Sequence, residues 1–359
     1  MQKTLPAVAG LMHTADMKKI KIGSRLVGGG EPCFVIAEAG SNHNGELKIA
    51  KELIDAASEA GADAIKFQVF SAEKHYSKKT PLHSAYKENL FDLIKKLELP
   101  RKWLGELKEH SDKRGIIFFA SPCDYEAVEQ LEKLGVLLHK VASFEIVDLE
   151  LIGYIAKKQK PMIISTGLAN MEEIEDAYIA CRQAGNDNVI FLQCASTYPS
   201  PPKVMNLTAM KTIEKTFNVV TGLSDHTKGI HISVAASAIG ASVIEKHFTL
   251  SRKMVGPDHP FAIEPDELKT MVSQIKEVTA ALGDGKKTGP SQAEMEFHEK
   301  ARRSIHADID IPKGTIITKE MLIMKRPGYG IKPKFINSVV GRKAKINIEA
   351  DQWITWEMI

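Results

Sequence analysis

The feature that most constrains the fold is a series of eight short apolar runs, separated by intervals long enough for a helix. Amphipathic stretches suited to helices lie between them, for example at 47–60, 171–184 and 230–240. Short runs in this arrangement are typical of buried parallel strands. The eight runs are 33–37, 64–65, 116–120, 137–142, 162–164, 189–194, 219–223 and 243–244. Eight strand–helix units in succession predict an α/β fold, the TIM (β/α)8 barrel.

Nearly every run ends in polar or ionisable side chains. In a TIM barrel the carboxyl ends of all strands meet on one face, which is where the active site lies. We therefore expect these side chains to converge, and the pattern predicts an enzyme. The run-end residues selected as site candidates are Glu38, Lys66, Gln68, Ser121, Ser143, Glu145, Ser196, Tyr198, Ser224, His226 and His247.

Lysines stand in or directly after three of the runs, at Lys66, Lys140 and Lys246. A buried strand lysine costs free energy unless an anion compensates it. Hydroxyl donors follow at comparable depth, so the sequence predicts an anion pocket, with Ser121, Ser143 and Ser224 as those donors. Two alternatives stay open. The lysines pair only with Glu38, Glu145 or Glu245, or one of them forms a Schiff base, which requires a lowered pKa.

His226 and His247 follow the seventh and eighth runs, so both imidazoles are expected to reach one point at the mouth of the barrel. Two histidines with open positions suit a divalent metal. No cysteine stands beside them, which argues against a structural zinc site. The alternative is that they are hydrogen-bonded structural residues.

Composition excludes several classes of function. The chain has 359 residues and a formal net charge of +3, with no basic block interleaved with aromatic residues, so nucleic-acid binding is not expected. Its apolar stretches are far shorter than the roughly 20 residues that cross a bilayer. The four cysteines form no CxxC pair and read as small apolar residues of a reducing compartment, which predicts a cytoplasmic protein.

Turn signals divide the chain into four parts. We predict an N-terminal extension with a β-hairpin at 1–31, the barrel at 32–284 and a linker at 285–301. Residues 302–359 carry strand-like runs at 305–309, 322–324, 343–348 and 353–356, which predict a small β-rich module. A module of that size is marginally stable alone, so we expect it to dock on a barrel, its own or a partner's. Arg326 lies in a glycine-rich loop of this module.

Several ordered motifs resemble the sialic-acid (nonulosonate) synthase family, and the tail resembles that family's antifreeze-like (SAF) domain. The motifs are Ala37-Glu38-Ala39-Gly40-Ser41-Asn42-His43-Asn44-Gly45, Lys66-Phe67-Gln68, Lys140-Val141-Ala142-Ser143-Phe144-Glu145, Ser224-Asp225-His226-Thr227 and Glu245-Lys246-His247-Phe248-Thr249. The resemblance implies a transferase that condenses phosphoenolpyruvate with an N-acetylmannosamine-type sugar, releasing phosphate and a nine-carbon 2-keto acid. It also implies a divalent metal, manganese or magnesium, and a domain-swapped homodimer.

The resemblance also implies roles for the candidates. Phosphoenolpyruvate would be surrounded by Lys66, Ser121, Lys140, Ser143, Ser196, Ser224, His226 and His247, and the two histidines would hold the metal. Glu38 and Glu145 are alternative groups for handling the attacking water. The sugar would contact Tyr198, Asp258 and, from the partner's tail, Arg326. Gln68 would also bind substrate.

Departures from the family pattern leave the sugar open. Ala142-Ser143-Phe144-Glu145 and Ser196 are similar to pseudaminate and spore-coat enzymes, whereas Gly256-Pro257-Asp258-His259 is similar to sialate and legionaminate enzymes. Two other functions stay as hypotheses. One is a synthase for shorter 2-keto acids, which is not expected to carry the tail module. The other is a non-catalytic sugar-binding or scaffold barrel.

Overall fold

A computed structural model describes residues 18–80 and 89–359, so most of the predicted N-terminal extension lies outside the described residues. The chain divides into two compact units, Met1–Asp284 and Gly285–Ile359, and each is described by itself. The first unit begins with an antiparallel hairpin of β1, Lys19–Ile22, and β2, Arg25–Gly28.

Eight parallel strands follow the hairpin, and each lies on or close to one of the predicted runs. Along the sheet their order is β5-β4-β3-β10-β9-β8-β7-β6, and the two end strands lie side by side. This arrangement confirms the predicted TIM barrel. The strands are β3 Phe34–Gly40, β4 Ala64–Val69, β5 Ile117–Pro122, β6 His139–Val141, β7 Met162–Ser165, β8 Val189–Cys194, β9 Val220–Asp225 and β10 Val243–His247.

Helices connect the strands and cover the outside of the barrel. In the first helix the buried residues Ala50, Leu53, Ile54 and Ala57 recur at the spacing of one helical face. The helices are α1 Leu47–Glu59, α2 Ala72–His75, α3 Leu90–Leu97, α4 Leu104–Lys113, α5 Tyr125–Lys133, α6 Leu149–Ala156, α7 Met171–Gln183, α8 Ala209–Phe217, α9 His231–Ala238 and α10 Pro265–Leu282. Among the described residues, no helix combines the length and apolar character needed to cross a membrane.

Strand alternation sorts the side chains of the barrel into an inner and an outer set. In β10, Val243 joins the apolar cluster inside the barrel, whereas Ile244 packs against the helices. The next inward position along this strand is Glu245 and the one after it is His247. The hairpin contributes Ile20, Ile22 and Val27 to the inner cluster. The interior is therefore apolar toward the amino ends of the strands and polar at their carboxyl ends.

The second unit is built around a small apolar core with one two-stranded antiparallel sheet. The sheet pairs β11, Ser304–Ala307, with β12, Leu322–Lys325. The second unit also contains two short helices, α11, Met295–Lys300, and α12, Ile336–Val339. The first of them lies inside the segment predicted as a linker. The strands predicted at 343–348 and 353–356 are wrong. Successive residues there contact different segments, so they form only isolated bridges.

Candidate active site

Four buried charged side chains form a connected cluster at the carboxyl ends of the strands. Lys66 Nζ lies 2.9 Å from Glu38 Oε2 and 3.7 Å from Glu245 Oε2. Lys140 Nζ lies 4.0 Å from Glu245 Oε1. All four side chains are at most 5% exposed. The sequence left open that the lysines pair with Glu38, Glu145 or Glu245, and the structure shows the pairs with Glu38 and Glu245. The two positive and two negative formal charges cancel.

Hydroxyl and carbonyl groups complete the contacts of the two lysines. Lys66 donates to Ser121 Oγ at 3.2 Å, and Lys140 donates to Ser165 Oγ at 2.7 Å. Ser224 donates to Glu245 Oε1 at 2.9 Å. Ser165 was not among the predicted site residues, although it ends an apolar run as the others do. Each lysine therefore has a hydroxyl partner at the end of a neighbouring strand, and Ser224 holds the carboxylate that lies near both lysines.

Burial and neighbouring charges move the pKa values within this cluster in different directions. Burial, opposed by Lys66 and reinforced by Glu245, raises the pKa of Glu38 to about 7. Burial raises the pKa of Glu245 as well, but Lys140 and Lys66 outweigh it and hold that pKa below its usual value. Burial lowers the pKa of Lys140. Glu38 is thus the carboxyl group whose protonation changes near neutral pH.

Gly167, two residues after the end of β7, lies beside two further hydroxyl groups, those of Ser143 and Ser196. Its amide N–H donates to Ser143 Oγ at 3.0 Å. A Cβ at this position would overlap Ser196 Oγ and would lie 2.8 Å from Ser143 Oγ. Only glycine leaves room for both hydroxyls. Sequence reasoning missed Gly167, and its one signal is the polar end of the run, Ser165-Thr166-Gly167.

The two histidines lie together, with ring centroids 5.2 Å apart. His226 Nδ1 lies 2.9 Å from the Ala195 carbonyl oxygen, which can only accept, so Nδ1 carries a proton. Burial lowers the pKa of His226, but the contacts with Cys194 and the Ala195 carbonyl outweigh it and raise that pKa above its usual value. His247 Nδ1 is buried without a hydrogen-bond partner. Burial, together with His226 and the nearby lysines, holds the pKa of His247 well below its usual value, so its imidazole is neutral. The Tyr198 ring lies 4.3 Å from the His226 ring.

Gly40 marks the point where the histidines meet the carboxylates. A Cβ on Gly40 would lie 3.3 Å from Asp258 Oδ2, 3.5 Å from Glu38 Oε1 and 3.6 Å from His247 Cε1. Asp258 Oδ2 is 3.7 Å from the unpaired His247 Nδ1. Gln68 Nε2 donates to Glu38 Oε1 at 2.9 Å. Two imidazoles beside a carboxylate fit the donor set of a divalent metal.

Glu145 lies in a different set of contacts from Glu38. It occupies the short turn Ser143–Glu145, and its Oε1 is 3.2 Å from His75 Nε2. Together with Cys123 these residues form the one group, within 18–80 and 89–359, that brings three metal-ligating atoms within 4.8 Å of one another. Sequence reasoning missed His75, because a four-residue helix after β4 has no periodic signal.

Besides Glu145, two candidates are not brought into the cluster of lysines and histidines. Lys246 faces outward because strand alternation places Glu245 and His247 inside, so its membership of the anion pocket is a wrong prediction. It donates instead to Asp225 Oδ2 at 2.9 Å and to the Thr227 carbonyl oxygen. Arg326 is an exposed residue of the second unit, and its role stays a prediction.

Comparisons with known proteins show which family the chain resembles. A family model described as the NeuB family matches residues 53–287, and one described as the SAF domain matches residues 302–359. An N,N'-diacetyllegionaminic acid synthase of Campylobacter jejuni is 43% identical over 329 residues, covering 89% of this chain and 98% of that protein. The human N-acetylneuraminate-9-phosphate synthase is 38% identical over 343 residues, covering 93% and 95%.

A solved structure shows the same relationship. The N-acetylneuraminic acid (sialic acid) synthetase from Leptospira borgpetersenii aligns with a TM-score of 0.73 and 36% identity, over 79% of this chain and 96% of that one. The family model covers well over half of the chain, and the relatives match along nearly all of it. The chain therefore belongs to the NeuB family of sialic-acid-type synthases.

Proposed function

We propose that this protein condenses phosphoenolpyruvate with an N-acetylmannosamine-type sugar and releases phosphate and a nine-carbon 2-keto sugar acid. The observation that carries the proposal is the cluster of Lys66, Lys140 and strand-end hydroxyls beside a pair of histidines. Relatives named as synthases of legionaminic acid and N-acetylneuraminate 9-phosphate support it. The product is a nonulosonic acid, and the reaction is a transfer to the sugar aldehyde.

The reaction forms one carbon–carbon bond and one carbon–oxygen bond, the latter to water, and it breaks the carbon–oxygen bond to phosphate. The enol carbon of phosphoenolpyruvate attacks the aldehyde carbon, and the aldehyde oxygen takes a proton. Water adds to the central carbon of the former phosphoenolpyruvate, and phosphate leaves from that carbon. Lys66 and Lys140 steady the phosphate, and Ser121, Ser143 and Ser196 orient it.

Glu38 is the group that we assign to the attacking water. Its pKa near 7 suits a group that accepts a proton at neutral pH. Gln68 holds one of its oxygens at 2.9 Å, which orients the carboxylate. Glu145, the alternative, is engaged with His75 in a separate loop cluster. The position of Glu38 beside Lys66 therefore favours it.

His226 and His247 are the residues that would hold a divalent ion, manganese or magnesium. When bound, the ion supplies Lewis-acid polarisation of the aldehyde. The Ala195 carbonyl fixes the orientation of His226, and Tyr198 packs on its ring. We assign Tyr198 and Asp258 to the sugar hydroxyls. Arg326, supplied by the partner's tail in a domain-swapped homodimer, is assigned to the N-acetyl group.

Two other functions are less well supported. A scaffold barrel gives no reason to bury two lysines and two glutamates, because such pairs rarely stabilise a fold more than apolar residues do. A synthase for shorter 2-keto acids does not account for the SAF domain at 302–359.

The test is phosphate release from phosphoenolpyruvate in the presence of Mn²⁺ and a panel of sugars. The panel contains N-acetylmannosamine, its 6-phosphate and diacetamido-trideoxyhexoses. We expect release with at least one sugar, none without sugar, and loss of turnover but not of fold in His247→Ala. Absence of release with every sugar and metal contradicts the proposal. A His247→Ala variant that turns over normally also contradicts it.

A further inference from the structure

A second cluster of metal-ligating side chains lies apart from the histidine pair. His75 ends α2, Cys123 directly follows β5, and Glu145 lies in the turn after β6. Three successive βα connections of the barrel thus bring an imidazole, a thiol and a carboxylate together, with all ligand atoms within 4.8 Å. The His75 and Glu145 side chains are 22% and 10% exposed, so the cluster is enclosed on one side and reachable on the other.

The donor set selects a particular class of cation. Magnesium and manganese favour oxygen ligands, whereas a nitrogen, sulfur and oxygen set suits Zn²⁺ or its spectroscopic substitute Co²⁺. Three protein ligands leave one tetrahedral position open. The neighbouring carboxylate, Asp124, does not fill it, because it forms an ion pair with Arg101 and accepts the Ala127 N–H.

The contacts within the cluster agree with a site that holds a cation. His75 Nε2 lies 3.2 Å from Glu145 Oε1, so the imidazole and the carboxylate already face each other beside the Cys123 thiol. A bound cation would displace the thiol proton and neutralise both the thiolate and the Glu145 carboxylate.

We propose that His75, Cys123 and Glu145 form a second metal site that binds Zn²⁺, distinct from the site of His226 and His247. Zinc binding there occupies Glu145 at the carboxyl-end face of the barrel. The binding itself does not depend on the proposed function.

The experiment is a Co²⁺ titration of the full-length protein followed by its absorption spectrum. We expect a thiolate-to-cobalt charge-transfer band that Zn²⁺ abolishes. The band persists in the double variant His226→Ala/His247→Ala and disappears in Cys123→Ser. In His75→Ala the affinity for Co²⁺ falls roughly tenfold or more. Because His75 is partly exposed, that variant tests the site even where Cys123→Ser does not fold.

Cys194→Ser is the matched control, since Cys194 Sγ lies 3.7 Å from His226 Nδ1 and is the other thiol near a proposed ligand. The band must survive this substitution. The proposal is overturned if the wild type shows no band at millimolar Co²⁺, or if the band survives Cys123→Ser. If the protein shows the band but releases no phosphate, the proposed function is refuted and the metal site is not.

Discussion

The substitution Gly167→Ala tests the phosphate-binding role of Ser143 and Ser196 without removing either hydroxyl. The new methyl group would overlap Ser196 Oγ and approach Ser143 Oγ to 2.8 Å, so both side chains must turn away. A hydrogen bond to a charged group contributes about 1.5–3 kcal/mol. Loss of both bonds to phosphate is therefore expected to cost about 3–6 kcal/mol, or a fall of roughly 10²–10⁴ in kcat/KM for phosphoenolpyruvate.

The assay is phosphate release at varied phosphoenolpyruvate, compared with the double variant Ser143→Ala/Ser196→Ala, which should show a similar loss. Gly153→Ala is the matched control, because Gly153 lies in α6 with no atom within 4 Å of its added Cβ. That substitution should leave the kinetics unchanged. A fall of less than about tenfold in Gly167→Ala, with a normal fold, refutes the assigned role of the two hydroxyls.

Three further predictions concern ionisable groups. Because burial raises the pKa of Glu38 to about 7 and the water step needs the ionised form, kcat should decline as pH falls through 7, and Glu38→Gln should be inactive at every pH. A pH–rate profile flat from 5 to 8 contradicts this. Treatment with borohydride in the presence of the sugar, whose aldehyde is the carbonyl that a lysine would condense with, should leave Lys140 unmodified by mass spectrometry, and an adduct there supports the Schiff-base alternative. Lys246→Met should lower the free energy of unfolding by about 3–5 kcal/mol in urea, because it leaves Asp225 buried without its partner, and a loss below about 1 kcal/mol contradicts that pairing.

The barrel and much of the site follow from local rules. A period of two along each strand, together with the convergence of strand ends, is enough to place Glu38, Lys66 and His247 in one region. The same period places Lys246 on the outer face of its strand, because it stands between two inward positions. The presence of a lysine in a strand does not by itself predict a place in the anion pocket.

Other features depend on contacts between distant segments and have no local signal. Glu145 meets His75 because two loops after different strands approach each other, which spacing along the chain does not report. Gly167 is required by Ser143 and Ser196, which belong to two other strand ends. In the tail, residues such as Lys343 and Trp353 bridge to different segments, so an alternating pattern was mistaken for continuous strands.

The most direct test of the central claim is a crystal structure of the protein soaked with phosphoenolpyruvate and Mn²⁺. We expect the phosphate within hydrogen-bonding distance of both Lys66 Nζ and Lys140 Nζ, and an anomalous manganese peak at His226 Nε2 and His247. Phosphoenolpyruvate bound elsewhere, or manganese found away from both histidines, contradicts the account.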